Sequence, residues 1–184
     1  GVPLVSYRQL KFDPKATFQF IADHQIRNMF LPPTALKLMR SYHMTAERLP
    51  VLSVRTIASG GEALGSSLLG WARKTMNVEV NEIYGQTECN LVICTDRSVN
   101  KSVPDGVMGK AVPGHKLCIL TPDGHEAEIG DVGEIAVQAP DPVMFLGYWK
   151  KPEDTQKKIK QGRLLTGDLG RQDENGFFSF VARD

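Results

Sequence analysis

The sequence predicts an α/β fold in two parts: a parallel sheet with crossover helices over residues 1–100, then a smaller β-rich subdomain over 101–184. Two observations carry this. Up to about residue 100, short apolar runs alternate with amphipathic stretches of helical spacing, the mark of β-α-β units. Beyond it, strand-like runs are separated by glycine-bearing turns.

The elements follow in order. Asp13 is a good N-cap, Pro14 suits the first helical position, and Phe18, Ile21 and Ala22 recur at helical spacing to about Asp23. "RNMFL" reads as a short strand. Pro32 and Pro33 open a second helix whose Ala35, Leu38, Met39 and Tyr42 are expected on one buried face. "VRTIA" is the next strand and runs into "SGGEALG". A third helix, Ser66 to Met76, should bury Leu68, Leu69 and Ala72, and "VEVNEIYG" returns as a strand that opens at 84–88. In the second half "KLCIL", "GEIAVQ" and "FFSFV" are strand-like, with "TPDGH", "IGDVG" and "DENGF" as turns. Pro152, followed by Glu153 and Asp154, marks the start of a short helix.

Composition narrows the function. Lys plus Arg total 22 against 21 for Asp plus Glu, so no bulk field exists to hold nucleic acid or an anionic membrane surface. No apolar run is long enough to cross a bilayer, and the opening "GVPLVSYRQL" lacks a signal-peptide layout. Cys89, Cys94 and Cys118 are odd in number and lack zinc spacing; reduced thiols in a cytoplasmic compartment are expected. His24, His43, His115 and His125 are scattered, which suits surface or capping roles. The start at Gly1 and the stop after "SFVARD" suggest a piece of a longer protein.

Ligands of parallel sheets bind beyond the carboxyl ends of the strands, and two conspicuous groups fall there. In "YGQTE", Tyr84 offers a flat face for stacking on a heterocycle, Gly85 leaves space beside it, Thr87 can donate to a phosphate oxygen, and Glu88 can supply an anionic oxygen to Mg²⁺. The plain alternative is a strand ending in a polar turn. In "SGGEA", Gly60 and Gly61 let backbone approach the other face of the same ring, or they simply make a turn. In "LLTGDLG", Asp168 can accept from two vicinal ribose hydroxyls, though "GD" is commonly an Asx turn or cap. Arg183 supplies a charged fork for ribose or phosphate, or is a solvated arginine.

"SGGEA", "NEIYGQTE", "GKAVPGHKLCIL", "GDVGEIAV", "FLGYWKKPEDT", "LLTGDLG" and "VARD", in this order, resemble the AMP-forming acyl-CoA synthetases of the adenylate-forming superfamily, which also holds adenylation domains and luciferases. The likeness covers essentially the whole chain and is greatest to the short- to medium-chain branch. It implies part of the N-terminal domain of that fold, with a barrel-like second half ending near an interdomain hinge. It implies activation of a carboxylic acid by ATP to an acyl-adenylate, then transfer to coenzyme A, with Mg²⁺ as the ion. By motif match, Tyr84 stacks on adenine, Gly61, Glu62 and Ala63 line its other side, Thr87 meets phosphate, Glu88 bears on Mg²⁺, Asp168 holds ribose, and Arg183 contacts ribose or phosphate. Thr87 and Glu88 are thereby the catalytic pair.

Some features depart from the family pattern. Its upstream phosphate loop and its C-terminal domain with the catalytic lysine are absent, so these residues alone are expected to be inactive. Ala182 replaces a usual glycine, and Arg163 a common aromatic. The acetate-specific branch has tryptophan where Gly85 stands, and Gly60 lies at another pocket-lining position; room for several methylenes, each worth about 0.8 kcal/mol, points to a medium-chain or aromatic acid. The run "KKPEDTQKKIKQGR" reads as a solvated helix face. Two alternatives stay open: an adenylation domain loading a carrier-protein thiol, and a non-catalytic nucleotide- or acyl-binding module. The expected partners are the small-molecule substrates and the remainder of the parent chain.

Overall fold

In the computed structural model, which describes residues 1–46, 48–97, 100 and 102–183, the Asp13 side chain accepts from the Ala16 amide at 3.1 Å and starts α1 (Pro14–Asp23). That helix buries Thr17, Phe18 and Ile21. After β1 (Asn28–Phe30), α2 (Pro33–His43) turns in Ala35, Leu36 and Met39. The expected face is thus corrected by one position: Leu36 is fully buried, while Leu38 is 43% exposed. Leu36 and Met39, three residues apart, share the face that packs on the first core, and Leu38 falls at the edge of that face.

Next come β2 (Thr56–Gly60), α3 (Ser66–Met76) and β3 (Glu79–Gln86). β2 begins two residues later than "VRTIA" suggests and takes in the first glycine. Strands β1, β2 and β3 are parallel neighbours, joined by α2 and α3 as crossover helices. Phe18, Leu36, Met39, Ile57, Leu69 and Val80 form the first core between helices and sheet.

β3 does not open at Tyr84. It runs on to Gln86, turns through Thr87, Glu88 and Cys89, and returns as β4 (Asn90–Cys94), which pairs antiparallel with β3 and with β5 (Lys110–Ala111). The second sheet has the order β10-β9-β7-β6 and is antiparallel throughout, with β8 beside β9. Its strands are β6 (Leu117–Leu120), β7 (Gly133–Gln138), β8 (Ile159–Lys160), β9 (Arg163–Gln172) and β10 (Phe178–Arg183). It curls into a half-barrel. The helix expected at Pro152 is α4 (Pro152–Lys158).

Ile135, Val137, Leu164 and Phe178 of the second sheet share a core with Cys89, Val92 and Ile93. The hairpin β3–β4 therefore hydrogen-bonds within one sheet and packs into the core of the other. A second tie is backbone: the Met108 amide donates to the Phe178 carbonyl at 2.8 Å, and the Phe178 amide to Gly109 at 2.7 Å. Among the described residues no helix is long and apolar enough to cross a membrane. Asp184, the last residue of "VARD", lies outside the described residues.

Candidate active site

Gly60 of β2 lies level with Ile83 of β3, so the chain leaves β2 through Gly61, Glu62 and Ala63 beside Tyr84. All three are exposed, and Glu62 pairs with Lys37 at 3.2 Å. Below them the Glu82 carboxylate accepts from the Leu64 amide at 3.4 Å and anchors the loop; burial pushes that carboxyl up.

Glycine at 60 and 85 has a backbone cause. A Cβ on Gly60 would stand 2.6 Å from the Ile83 carbonyl oxygen, and one on Gly85 1.7 Å from that of Asn90. Only a residue without a side chain admits strands this close.

Asp168 departs from the turn or cap that "GD" suggests. It sits inside β9, at a register shift opposite Glu134 to Ala136 of β7, and is 1% exposed. The Gly167 amide there donates to Glu134 Oε1 at 2.7 Å. Four donors meet the Asp168 carboxylate: Arg183 Nε at 2.7 Å on Oδ1, and Tyr84 Oη at 2.8 Å, Gln86 Nε2 at 2.7 Å and Arg183 at 3.2 Å on Oδ2. Burial pushes its acidity the other way, yet the Arg183, Tyr84 and Gln86 hydrogen bonds prevail and hold the carboxyl below its ordinary value. Burial drives the Tyr84 phenol well above its ordinary value, so it stays a donor. Arg183 is itself exposed, with 71% of its side chain open to solvent.

Thr87 and Glu88 occupy the β3–β4 turn, with Thr87 exposed. Glu88 Oε1 accepts from Tyr148 Oη at 2.5 Å, and the Phe145 amide donates to the Glu88 carbonyl at 2.8 Å. The Tyr148 hydrogen bond holds the Glu88 carboxyl low, and Glu88 in turn pushes Tyr148 up to about 12. Lys158, from the run read as a solvated face, turns inward to Gln86 Oε1 at 3.3 Å and the Thr166 carbonyl at 3.1 Å. His115 corrects the surface reading of the histidines: its Nδ1 lies 2.6 Å from Asp141 Oδ2, with side chains 9% and 2% exposed.

Tyr84, Asp168 and Arg183 thus converge, with Glu88 and Thr87 on the adjoining turn. Sequence reasoning assigned no role to Gln86 or Tyr148, and placed Lys158 on a solvated face and His115 at the surface or a cap. Gln86 and Tyr148 stood inside quoted motifs, which was a signal; the inward turn of Lys158 had none.

A family model for AMP-binding enzymes matches residues 1–149. An uncharacterized acyl-CoA ligase of Bacillus subtilis (strain 168) is 31% identical over 176 residues, which cover 95% of this chain and 32% of that protein. A mitochondrial acyl-coenzyme A synthetase of Rattus norvegicus is 29% identical over 177 residues, covering 94% and 30%. The crystal structure of an acyl-CoA synthetase from Brucella canis matches with a TM-score of 0.82 at 26% identity, over 94% of this chain and 32% of that one. The chain spans about a third of the length of these relatives. With the family model matching most of its residues, the chain belongs to the AMP-binding enzyme family.

Proposed function

We propose that the protein is the nucleotide-binding part of an acid–thiol ligase that uses ATP, a carboxylic acid and coenzyme A. The observation that carries this is the meeting of Tyr84, Gln86 and Arg183 on one buried carboxylate, Asp168, where the carboxyl end of the parallel strand β3 meets the antiparallel second sheet. An ionised carboxylate accepts hydrogen bonds from hydroxyls, and vicinal ribose hydroxyls can take the places of the Arg183 hydrogen bonds. In this reading adenine stacks on Tyr84 under Gly61, Glu62 and Ala63, and the freed Arg183 reaches ribose or phosphate.

The chemistry balances in two steps. A carboxylate oxygen attacks the α-phosphorus, the bond to the β-phosphate breaks, and pyrophosphate leaves. The sulfur of coenzyme A then attacks the acyl carbon, AMP departs, and the thiol proton passes to solvent. Thr87 donates to phosphate as charge develops there.

Mg²⁺ fits the donors. Tyr148 holds Glu88 ionised, and a single carboxylate beside substrate phosphates is a donor set that this ion takes. When bound, it offsets phosphate charge. The acid is larger than acetate in this proposal, since neither position 60 nor 85 presents a side chain to a ligand, although strand approach already requires both glycines. The free cysteines suit a reducing, cytoplasmic compartment.

The test is pyrophosphate exchange by the full-length protein over acids of rising length. Exchange that needs an acid and is lost in Asp168→Ala is expected; no exchange with any acid would end the reading, and preference for acetate would end its chain-length part. Residues 1–184 alone are expected to show no acyl-adenylate formation.

A further inference from the structure

We infer that Lys158 is a positioning residue for ribose recognition, acting on Asp168 through the Gln86 amide; this rests on the adenylate-site reading above. The two ends of the Gln86 amide face opposite chemistry. At one end lie two acceptors, the Thr166 carbonyl at 2.8 Å and Asp168 Oδ2 at 2.7 Å; at the other lies the Lys158 ammonium at 3.3 Å. Turning the amide over would set its oxygen against a carboxylate and a carbonyl, and its NH₂ against a cation. Lys158 therefore reinforces, from the oxygen end, the orientation that the two acceptors favour, and with it the donor that Asp168 receives.

The same ammonium holds the strand that presents Asp168. It donates to the Thr166 carbonyl at 3.1 Å, while the Asp168 amide donates to Thr166 Oγ1 at 3.1 Å and Thr166 Oγ1 donates to the Ile135 carbonyl at 2.7 Å. Among the described residues Lys158 makes no ion pair; its hydrogen-bond partners are uncharged oxygens. A half-buried cation whose hydrogen bonds go to two neutral acceptors, and whose charge reaches the Glu88 carboxylate only through space, is a poor device for stability alone, because a hydrogen bond to a charged partner would be the stronger one. It makes sense as an orienting group. With Tyr84, it leaves Asp168 fixed on one side and open to exchange only where the exposed Arg183 sits.

The experiment compares kcat/KM for ATP with that for 2′-deoxyATP in the full-length enzyme, for wild type, Lys158→Met, Lys158→Arg, Gln86→Leu and Asp168→Ala, with Tm recorded for each. Lys158→Met and Gln86→Leu should each lower the preference for ATP about tenfold, the scale of one charge-assisted hydrogen bond, with Tm nearly unchanged in Lys158→Met and lowered in Gln86→Leu, which takes a donor from buried Asp168, and Lys158→Arg should keep most of the preference. An unchanged preference in Lys158→Met, or equal losses for both nucleotides together with weaker pyrophosphate binding, would overturn the inference; the latter marks a direct phosphate contact. If Lys158→Met does not fold, Lys158→Gln, which keeps a donor and removes the charge, decides by the same comparison. A preference that survives Asp168→Ala refutes the adenylate reading itself, whereas its loss there with retention in Lys158→Met and Gln86→Leu refutes only the role of Lys158.

Discussion

The Tyr84 hydroxyl donates to Asp168 Oδ2 at 2.8 Å, joining two residues 84 positions apart and the two sheets that carry them. Tyr84→Phe keeps the ring and removes the donor. Chemical denaturation is expected to register a loss of about 2 kcal/mol, with nucleotide affinity reduced several-fold rather than abolished. Full loss of nucleotide binding would mean that the hydroxyl, and not the ring face, is the adenine contact.

Asp168 also sets an acid limit. Its folded carboxyl titrates below the ordinary value, so the stabilisation is complete above roughly pH 4 and drains away as pH falls through the lower, folded value. Asp168→Asn has no such proton to bind. Its urea midpoint, followed from neutral to acid, should fall less steeply below roughly pH 4 than that of the wild type.

Tyr148→Phe removes the hydrogen bond that keeps Glu88 acidic. The Glu88 carboxyl then titrates at higher pH, and the acid limb of kcat/KM should move up with it. Equilibrium titration with Mg²⁺ and nucleotide near that limb should show weaker binding in the variant, and parity at neutral pH. A limb that stays in place would separate Tyr148 from Glu88 ionisation.

Two glycines make a contrast. Gly85→Ala drives a methyl into the Asn90 carbonyl, with a cost of about 3 kcal/mol or more, read as poor folding yield or a sharply lowered Tm. Gly70, inside α3, has open space around its would-be Cβ; Gly70→Ala should stabilise by about 1 kcal/mol through helix propensity.

On α2, Leu36→Ala should cost about 2–5 kcal/mol, while Leu38→Ala should stay within about 0.5 kcal/mol. Thermal denaturation of the pair checks which leucine faces the core.

Local signals read well in the sequence. Asp13-Pro14, the Ser66–Met76 helix and the "GEIAVQ" strand all depend on neighbours a few residues away, and all formed where expected. Long-range choices did not read. "NLVIC" is a strand only because β3 and β5 flank it, and "TGD" enters β9 because β7 pairs across it. The pairing of His115 with Asp141, and the turn of Lys158 toward Gln86, join positions 26 and 72 apart, and no local pattern encodes them. The motif residues of the site were visible by type and order; of their supports, Gln86 and Tyr148 stood within those motifs, and the parts of Lys158 and His115 emerged only in three dimensions.

The β3–β4 hairpin answers to two masters: its amides and carbonyls are zipped into one sheet, while Cys89, Val92 and Ile93 plug the other's interior. Any expression boundary drawn between the halves would tear an oily flank open on both pieces. Swivelling one half against the other would likewise drag the Thr87–Glu88 turn along, which makes the hairpin a rigid axle and not a joint.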